Sequence, residues 1–254
     1  MAVYAINDTT LTAIADSIRA KKGTVDPIKP EDMAAEIASI EGGGSPEPDP
    51  RDQYQRVEYI NTDGAAYVVT DIFADNTCGM EIVASFPTVA DHACMGSRQD
   101  SNNTRFFTPY PLSLSSTYFG FNGAIKISAS INTNKAYRWQ TNFVNSRLAS
   151  VCDMDGINKG STVISGTLAP HTAPIYIFAT VRCETGNASS VRKLSLYSAR
   201  ISQGTDVVRE YIPCYRKSDG VAGLFEKITG QFLENAAGVG SFAVGADIDW
   251  EESL

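Results

Sequence analysis

Two hydrophobic periods divide the chain. Over roughly the first forty residues, apolar positions recur every three or four. From Tyr54 onward they alternate or gather in short runs. Leu11, Ile14, Ala15 and Ile18 fall at i, i+3, i+4 and i+7, one stripe that predicts an amphipathic helix over residues 9–22. Asn7 or Asp8 can cap its start, and Lys21, Lys22 and Gly23 suit its end. Pro30 opens a second helix, with Glu31 and Asp32 in its first turn and Met33, Ala34, Ile37 and Ile40 as its stripe. A helix pair this small rarely holds a core alone. Leu11, Ile14, Ile18, Met33, Ile37 and Ile40 are therefore candidates for an assembly interface, with copies of the chain or with a larger assembly. The alternative is packing on the rest of the same chain.

Between the two periods lies Gly42-Gly43-Gly44-Ser45-Pro46-Glu47-Pro48-Asp49-Pro50. Its glycines loosen the backbone and its alternate prolines extend it, so residues 42–52 read as a linker after a helical module at 1–41. Strand-like runs then follow: 57–60, 66–70, 79–86, 105–107, 117–121, 125–129, 137–143, 147–151, 175–180 and 191–199. Turn clusters separate them and no helix-period segment intervenes. Two packed antiparallel sheets over residues 53–246 are expected, a mainly β sandwich, followed by an acidic tail at 247–254.

Composition narrows the function. Hydrophobic residues make up 43%, enough for a real core, and the net charge is −8 with a pI near 4.8. Such a chain is repelled by phosphate backbones, which disfavours nucleic acid as a partner. No run is long and apolar enough for a membrane span, and the start carries no secretory signal, so synthesis in a bacterial cytoplasm is expected. The five cysteines are scattered, with no C-x-x-C pair, and read as buried thiols.

Four stretches carry resemblances. Residues 7–23 and 27–33, with Leu11, Ile14, Ala15, Ile18, Arg19, Lys21, Gly23, Ile28, Pro30 and Met33 in pattern, resemble an amino-terminal module of phage and prophage tail or fibre proteins. Residues 208–242 contain Ile212-Pro213, Ser218-Asp219-Gly220, Gly223-Leu224-Phe225, Gly230, Phe232, Asn235, Gly238, Gly240 and Phe242. These are similar to the closing segment of concanavalin A-like (laminin-G-like) jelly rolls. Tyr59-Ile60 with Gly64 and Tyr67, and Met95-Gly96-Ser97-Arg98, are similar to earlier motifs of that family. Glu226 departs from its usual Asp, and Leu233-Glu234 from its usual aromatic. Together the resemblances imply a virion protein of a bacteriophage: a tail fibre, head fibre or receptor-binding component, anchored by the helical module as a homo-oligomer with a trimer favoured. Its partners would be other virion proteins and a host-surface glycan or protein.

Catalytic chemistry finds little support. His92 and His171 lack a third partner and read as solvated loop residues, so neither a triad nor a zinc site is expected. Glycosidases on this fold carry E-x-D-x-x-E on one strand, and the nearest run here is Asp247-Ile248-Asp249-Trp250-Glu251-Glu252, in the tail. Asp153-Met154-Asp155-Gly156 reads as a hairpin turn rather than a calcium loop. Lectin-like jelly rolls often hold calcium, which the resemblance allows and no motif here requires. The expectation is a binding protein without cofactor. A polysaccharide-degrading tail enzyme and a purely decorative protein are the alternatives. Sugar recognition calls for aromatic platforms beside planar polar groups, and the candidates are Arg98, Asp100, Arg105, Tyr110, Tyr118 and Trp139.

Overall fold

In a computed structural model of the chain, the residues described are 8–22, 26–39, 49–88, 93–99, 104–121, 124–144, 148–163, 169–189 and 191–250. The chain forms two compact units, Met1–Asp52 and Gln53–Leu254. In the first, helix α1 spans Asp8–Lys22. A 3₁₀ turn, Pro30–Asp32, leads into α2, Met33–Ala38. Pro30 sits in the first turn after extended Lys29, where its missing N–H costs no hydrogen bond. Ala15, Ile18 and Met33 form the small core, with Leu11 and Ile28 partly buried against it. The interface expectation therefore needs correction. Ile18 and Met33 are used inside the unit, and only Ile14 and Ile37 stand out, 38% and 47% exposed. Ile40 and most of the linker lie outside the described residues. At the linker's end, the Asp49 carboxylate accepts from Arg51 N and Nε (2.9 and 3.0 Å) at the start of α3, Pro50–Gln53.

The second unit is built from strands β1 (Tyr54–Arg56), β2 (Ile60–Thr62), β3 (Val68–Phe73), β4 (Cys78–Ser85), β5 (Met95–Gln99), β6 (Thr104–Ser113), β7 (Ser116–Phe121), β8 (Ala124–Ser128), β9 (Tyr137–Val144) and β10 (Leu148–Met154). It continues with β11 (Ile157–Val163), β12 (Pro174–Ile177), β13 (Thr180–Arg182), β14 (Asn187–Ser189), β15 (Ser195–Gln203), β16 (Asp206–Arg216), β17 (Ala222–Glu226), β18 (Phe232–Leu233) and β19 (Phe242–Val244). The first sheet runs β11-β10-β9-β4-β15-β16-β17-β18, with β1 on β16 and β2 joining β15 to β19. The second runs β14-β13-β5-β6-β7-β8, with β12 joining β5 to β3.

The two sheets pack face to face, as the alternating runs predict. Met80, Ile82, Trp139 and Ile201 of the first sheet share one buried cluster with Val68, Met95, Phe106, Phe119 and Ile177 of the second. A hydroxyl bond links the layers, Thr141 Oγ1 to Thr108 Oγ1 at 2.7 Å. The expected Asp155-Gly156 turn is present. Both residues have positive φ (53° and 75°), which matches the twist of the β10–β11 hairpin.

Three expectations change. The run 175–180 is two strands, because Phe178 reverses the chain with φ of 71° and its ring fully buried. Its N–H donates to Cys94 O and its carbonyl accepts from Arg192 N, both at 2.7 Å. As a result β13 lies parallel to β5, the exception among the otherwise antiparallel pairings of the described residues. The tail is also docked rather than frayed as far as Trp250. Asp247 bridges Val57, Arg56 Nη1 donates to Asp249 O and Trp250 O, and the Trp250 ring meets Phe225 edge-on. Finally, Cys78, Cys94 and Cys214 are buried as expected, with burial pushing Cys94 and Cys214 up to about 12, but Cys183 is half-exposed.

Glu226, the departure from the family pattern, clips the closing segment. Its carboxylate accepts from Glu210 N (2.8 Å), Ile228 N (3.1 Å), Thr229 N (2.6 Å) and Thr229 Oγ1 (2.5 Å) while 1% exposed. Burial alone raises its pKa, but the bonds from Thr229, Glu210 and Ile228 outweigh it, so the group stays below the usual carboxylate range. Replacing Glu226 with Ala strands these donors. We expect a loss of about 3 kcal/mol, seen as a melting temperature lower by roughly 6–12 °C. An unchanged melting curve would refute this role.

Candidate functional site

Alternation along β5 and β6 decides which side chains leave the core. Ser97 and Phe106 are register partners and fully buried, as are Met95 and Thr108. Arg98 and Arg105, the next pair, therefore point to the outer face of the second sheet, where both are half-buried. On the other edge of β5, parallel pairing sets Arg182 beside Arg98. Arg182 is exposed and faces Asn187 across the β13–β14 hairpin. The result is one cross-strand row: Asn187, Arg182, Arg98, Arg105. Arg105 Nε is buried and has no hydrogen-bond partner among the described residues.

Further along β6 and β7, Thr117 and Phe119 are buried, so Tyr118 turns to the same outer face and is half-buried there. Its register partners are Tyr110 on β6 and Lys126 on β8. Four of the six sugar-site candidates, Arg98, Arg105, Tyr110 and Tyr118, thus belong to adjacent strands of one sheet. Trp139 does not join them. It is 0% exposed in the core, on the first sheet, and cannot offer a ring face to a ligand. Asp100 lies outside the described residues. Arg182 and Lys126 were not among the candidates, since nothing local ties them to Arg98 or Tyr118.

His171 also departs from expectation. It is 3% exposed, and its Nδ1 lies 2.7 Å from Ser97 Oγ, with Ser97 fully buried. Nε2 has no partner among the described residues. Burial lowers the ring's pKa to about 4, against a small opposing pull from Glu184, so the imidazole is neutral near pH 7. The pair resembles a nucleophile and base only in its atoms. Both groups are sealed from solvent, and the bond pins the inner side of β5 directly beneath Arg98. His92 lies outside the described residues, and no group of three His, Cys, Asp or Glu side chains poised for a metal occurs among the described residues.

The outer face of the first sheet has a different electrostatic design. Arg138 pairs with Glu81, Glu81 with Arg200 (3.5 Å), Arg200 with Glu210 (3.3 Å), and Glu210 with Lys227 (2.9 Å). Charges alternate across four strands, β9, β4, β15 and β16, and end on Lys227 in the turn after β17. On the second sheet, strands β14, β13, β5, β6, β7 and β8 carry Arg182, Arg98, Arg105 and Lys126 and no Asp or Glu at all.

With this geometry in hand, comparison with known proteins defines the fold class. No family model and no curated protein matches the sequence. Among solved structures, the chain is similar to a Bacteroides ovatus protein with a proposed role in carbohydrate binding, at 10% identity and a TM-score of 0.53, covering 77% of this chain and 62% of that one. It is also similar to domains LG4-5 of the mouse laminin α1 chain, at 12% identity and a TM-score of 0.42, covering 65% and 48%. The chain thus spans about three fifths of the length of the first. The large unit is a mainly β jelly-roll sandwich, the fold that the sequence motifs implied.

The buried imidazole makes a pH prediction. An unfolded His binds its proton near pH 6.5, whereas folded His171 resists protonation down to about pH 4. Stability from this group is therefore complete above pH 6.5 and lost as pH falls toward 4, by up to about 3 kcal/mol. Urea midpoints across this window should fall for the natural protein and fall less for His171→Gln. Equal slopes would rule the effect out.

Proposed function

We propose that this chain is a surface protein of a bacteriophage virion that holds a glycan-binding jelly roll toward its host. The observation that carries the binding reading is the gathering of Tyr118, Arg98 and Arg105 on one outer sheet face. An aromatic ring supplies a stacking platform for the apolar face of a sugar, and guanidinium forks supply directional donors to its oxygens. The structural similarity to a protein with a proposed carbohydrate-binding role supports the same reading.

The virion assignment rests on the resemblance of residues 7–33 to phage tail and fibre modules. The helical unit supports it with an open apolar groove of about 420 Å³ lined by Ala13, Ile14, Ile18 and Ile37. Self-association, as a trimer by preference, or docking on another virion protein would cover it. Tail fibre, head fibre and receptor-binding protein are all consistent with this design. In this reading the protein binds without catalysis and without a resident cofactor, since the Ser97–His171 pair is sealed and serves β5.

The test is adsorption. Virions carrying the chain without residues 53–254 should still assemble and should lose attachment to host cells. Purified Tyr118→Ala should bind those cells about tenfold more weakly, from the loss of one stacking contact. Full attachment by the truncated virions would reduce the jelly roll to decoration.

A further inference from the structure

Residues 245–250, which follow β19, are fastened along β1 and the residues just after it by main-chain bonds. Gly245 N donates to Tyr59 O (2.8 Å), Glu58 N to Ala246 O (2.8 Å) and Ile248 N to Arg56 O (3.0 Å), and Asp247 forms a bridge with Val57. Side chains add to this. Gln55 Nε2 donates to Ile248 O at 3.1 Å, and Arg56 Nη1 to Asp249 O and Trp250 O at 3.3 and 3.1 Å. The Tyr215 hydroxyl donates to Asp247 Oδ2 at 3.3 Å. β1 has only three residues, and among the described residues its one ladder partner is β16. The segment 245–250 supplies the bonds on the opposite edge.

An apolar cluster separate from the main core lies at this place. Ile212, Cys214 and Phe225 are its buried members, and Tyr54, Phe232 and Trp250 pack against them. Cys214 is fully buried and is the register partner of Arg56, so the two share one sheet face. The Trp250 ring closes edge-on against Phe225, with centroids 5.5 Å apart. The fit at the near end is tight. A Cβ on Gly245 would lie 2.9 Å from the Tyr59 ring and 3.1 Å from Tyr59 N. Yet no residue of the segment is itself buried. Ala246, Asp247 and Asp249 are exposed, and Gly245, Ile248 and Trp250 are half-buried. A segment that buries so little apolar surface opens at lower cost than the fold as a whole. Once it lifts, water can take the Arg56 donors that its carbonyls held.

We propose that residues 245–250 are a strap that opens and closes as a unit while the sandwich stays folded, and that it governs the strand into which the linker runs. Closed, the strap locks β1 between itself and β16. The sandwich then starts at Gln53, whose carbonyl accepts from Lys217 N at 2.8 Å. Open, β1 is held by β16 on one edge only. It can peel as far as Val57, which is fully buried in the main core. Peeling adds residues 53–56 to the linker, roughly 13 Å of reach. A pull through the linker falls first on this strand, so the strap sets how firmly the jelly roll is rooted. The strap acts at the root of the linker, whatever the outer faces bind.

The experiment is thiol labelling of the full chain under native conditions, with iodoacetamide uptake read cysteine by cysteine from peptide masses. Cys214 reports on the strap, and Cys94, fully buried in the main core, is the internal control. Cys214 should label at least about tenfold faster than Cys94, because local opening is more frequent than global unfolding. Trp250→Ala, which removes the ring contact, and Gly245→Ala, which crowds Tyr59, should each raise the Cys214 rate about tenfold and leave Cys94 unchanged. Hydrogen exchange at the Ile248 N–H should quicken in both variants, while the core Phe178 N–H, bonded to Cys94 O, should not change. Equal labelling of Cys214 and Cys94 in the natural protein, or variants that raise both rates together, would overturn the proposal, because the segment would then open only with the whole sandwich. Fast labelling of Cys214 that neither variant alters would overturn it as well, since the thiol would then be reached by another route.

Discussion

The second sheet depends on the backbone of one residue. Phe178 adopts φ of 71°, a conformation that a bulky side chain rarely takes and that costs on the order of 1–3 kcal/mol. Its surroundings compensate. The ring is fully buried and packs on Phe242 with centroids 5.0 Å apart, the N–H reaches Cys94 O, and the carbonyl receives Arg192 N–H. The reversal ends β12, which runs antiparallel to β5, and starts β13, which runs parallel to it. Without it the chain would continue past β5, and Arg182 would not stand beside Arg98. A core packing interaction on the inner face thus sets the charge pattern on the outer one.

The same division of labour recurs through the sandwich. Inner faces are apolar, with a few hydrogen-bonded polar pairs such as Thr108–Thr141 and Ser97–His171 that hold strands in position. Outer faces differ between the sheets. The first carries a ladder of alternating charge that largely neutralises itself, a surface suited to solvent. The second carries Arg182, Arg98, Arg105, Lys126 and Tyr118, with Asp71 of β3 paired to Arg209. Glu226 and Asn235 secure the closing segment. Asn235 Nδ2 donates to Val239 O and Gly240 O, while its Oδ1 accepts from Tyr67 N and Ala237 N. The closing segment that carries much of the resemblance is therefore made of turn clips and fold supports.

The helical unit follows different physics. Three buried residues, Ala15, Ile18 and Met33, make a minimal core, and Ile14 and Ile37 remain outside it. A unit this small gains little from its own burial, and an exposed apolar groove makes association favourable. That is the physical basis for reading it as an attachment element.

The sequence by itself determined the two-unit plan, the helices, the sandwich and the jelly-roll class. These follow from periods of 3.6 and 2, from glycine and proline punctuation, and from turn motifs such as Asp155-Gly156, all of which are local. It also offered Arg98, Arg105, Tyr110 and Tyr118 as candidates in or beside loops, whereas they lie within strands β5, β6 and β7. Only the tertiary structure decided that Trp139 is core, that His171 is sealed against Ser97, and that the segment up to Trp250 is docked. Arg182 reached the row in the same way. It lies far from Arg98 in sequence and joins it through a left-handed Phe178 that no glycine, proline or asparagine announces. Register between distant strands is set by which faces can be buried together, and that is a property of the packed whole.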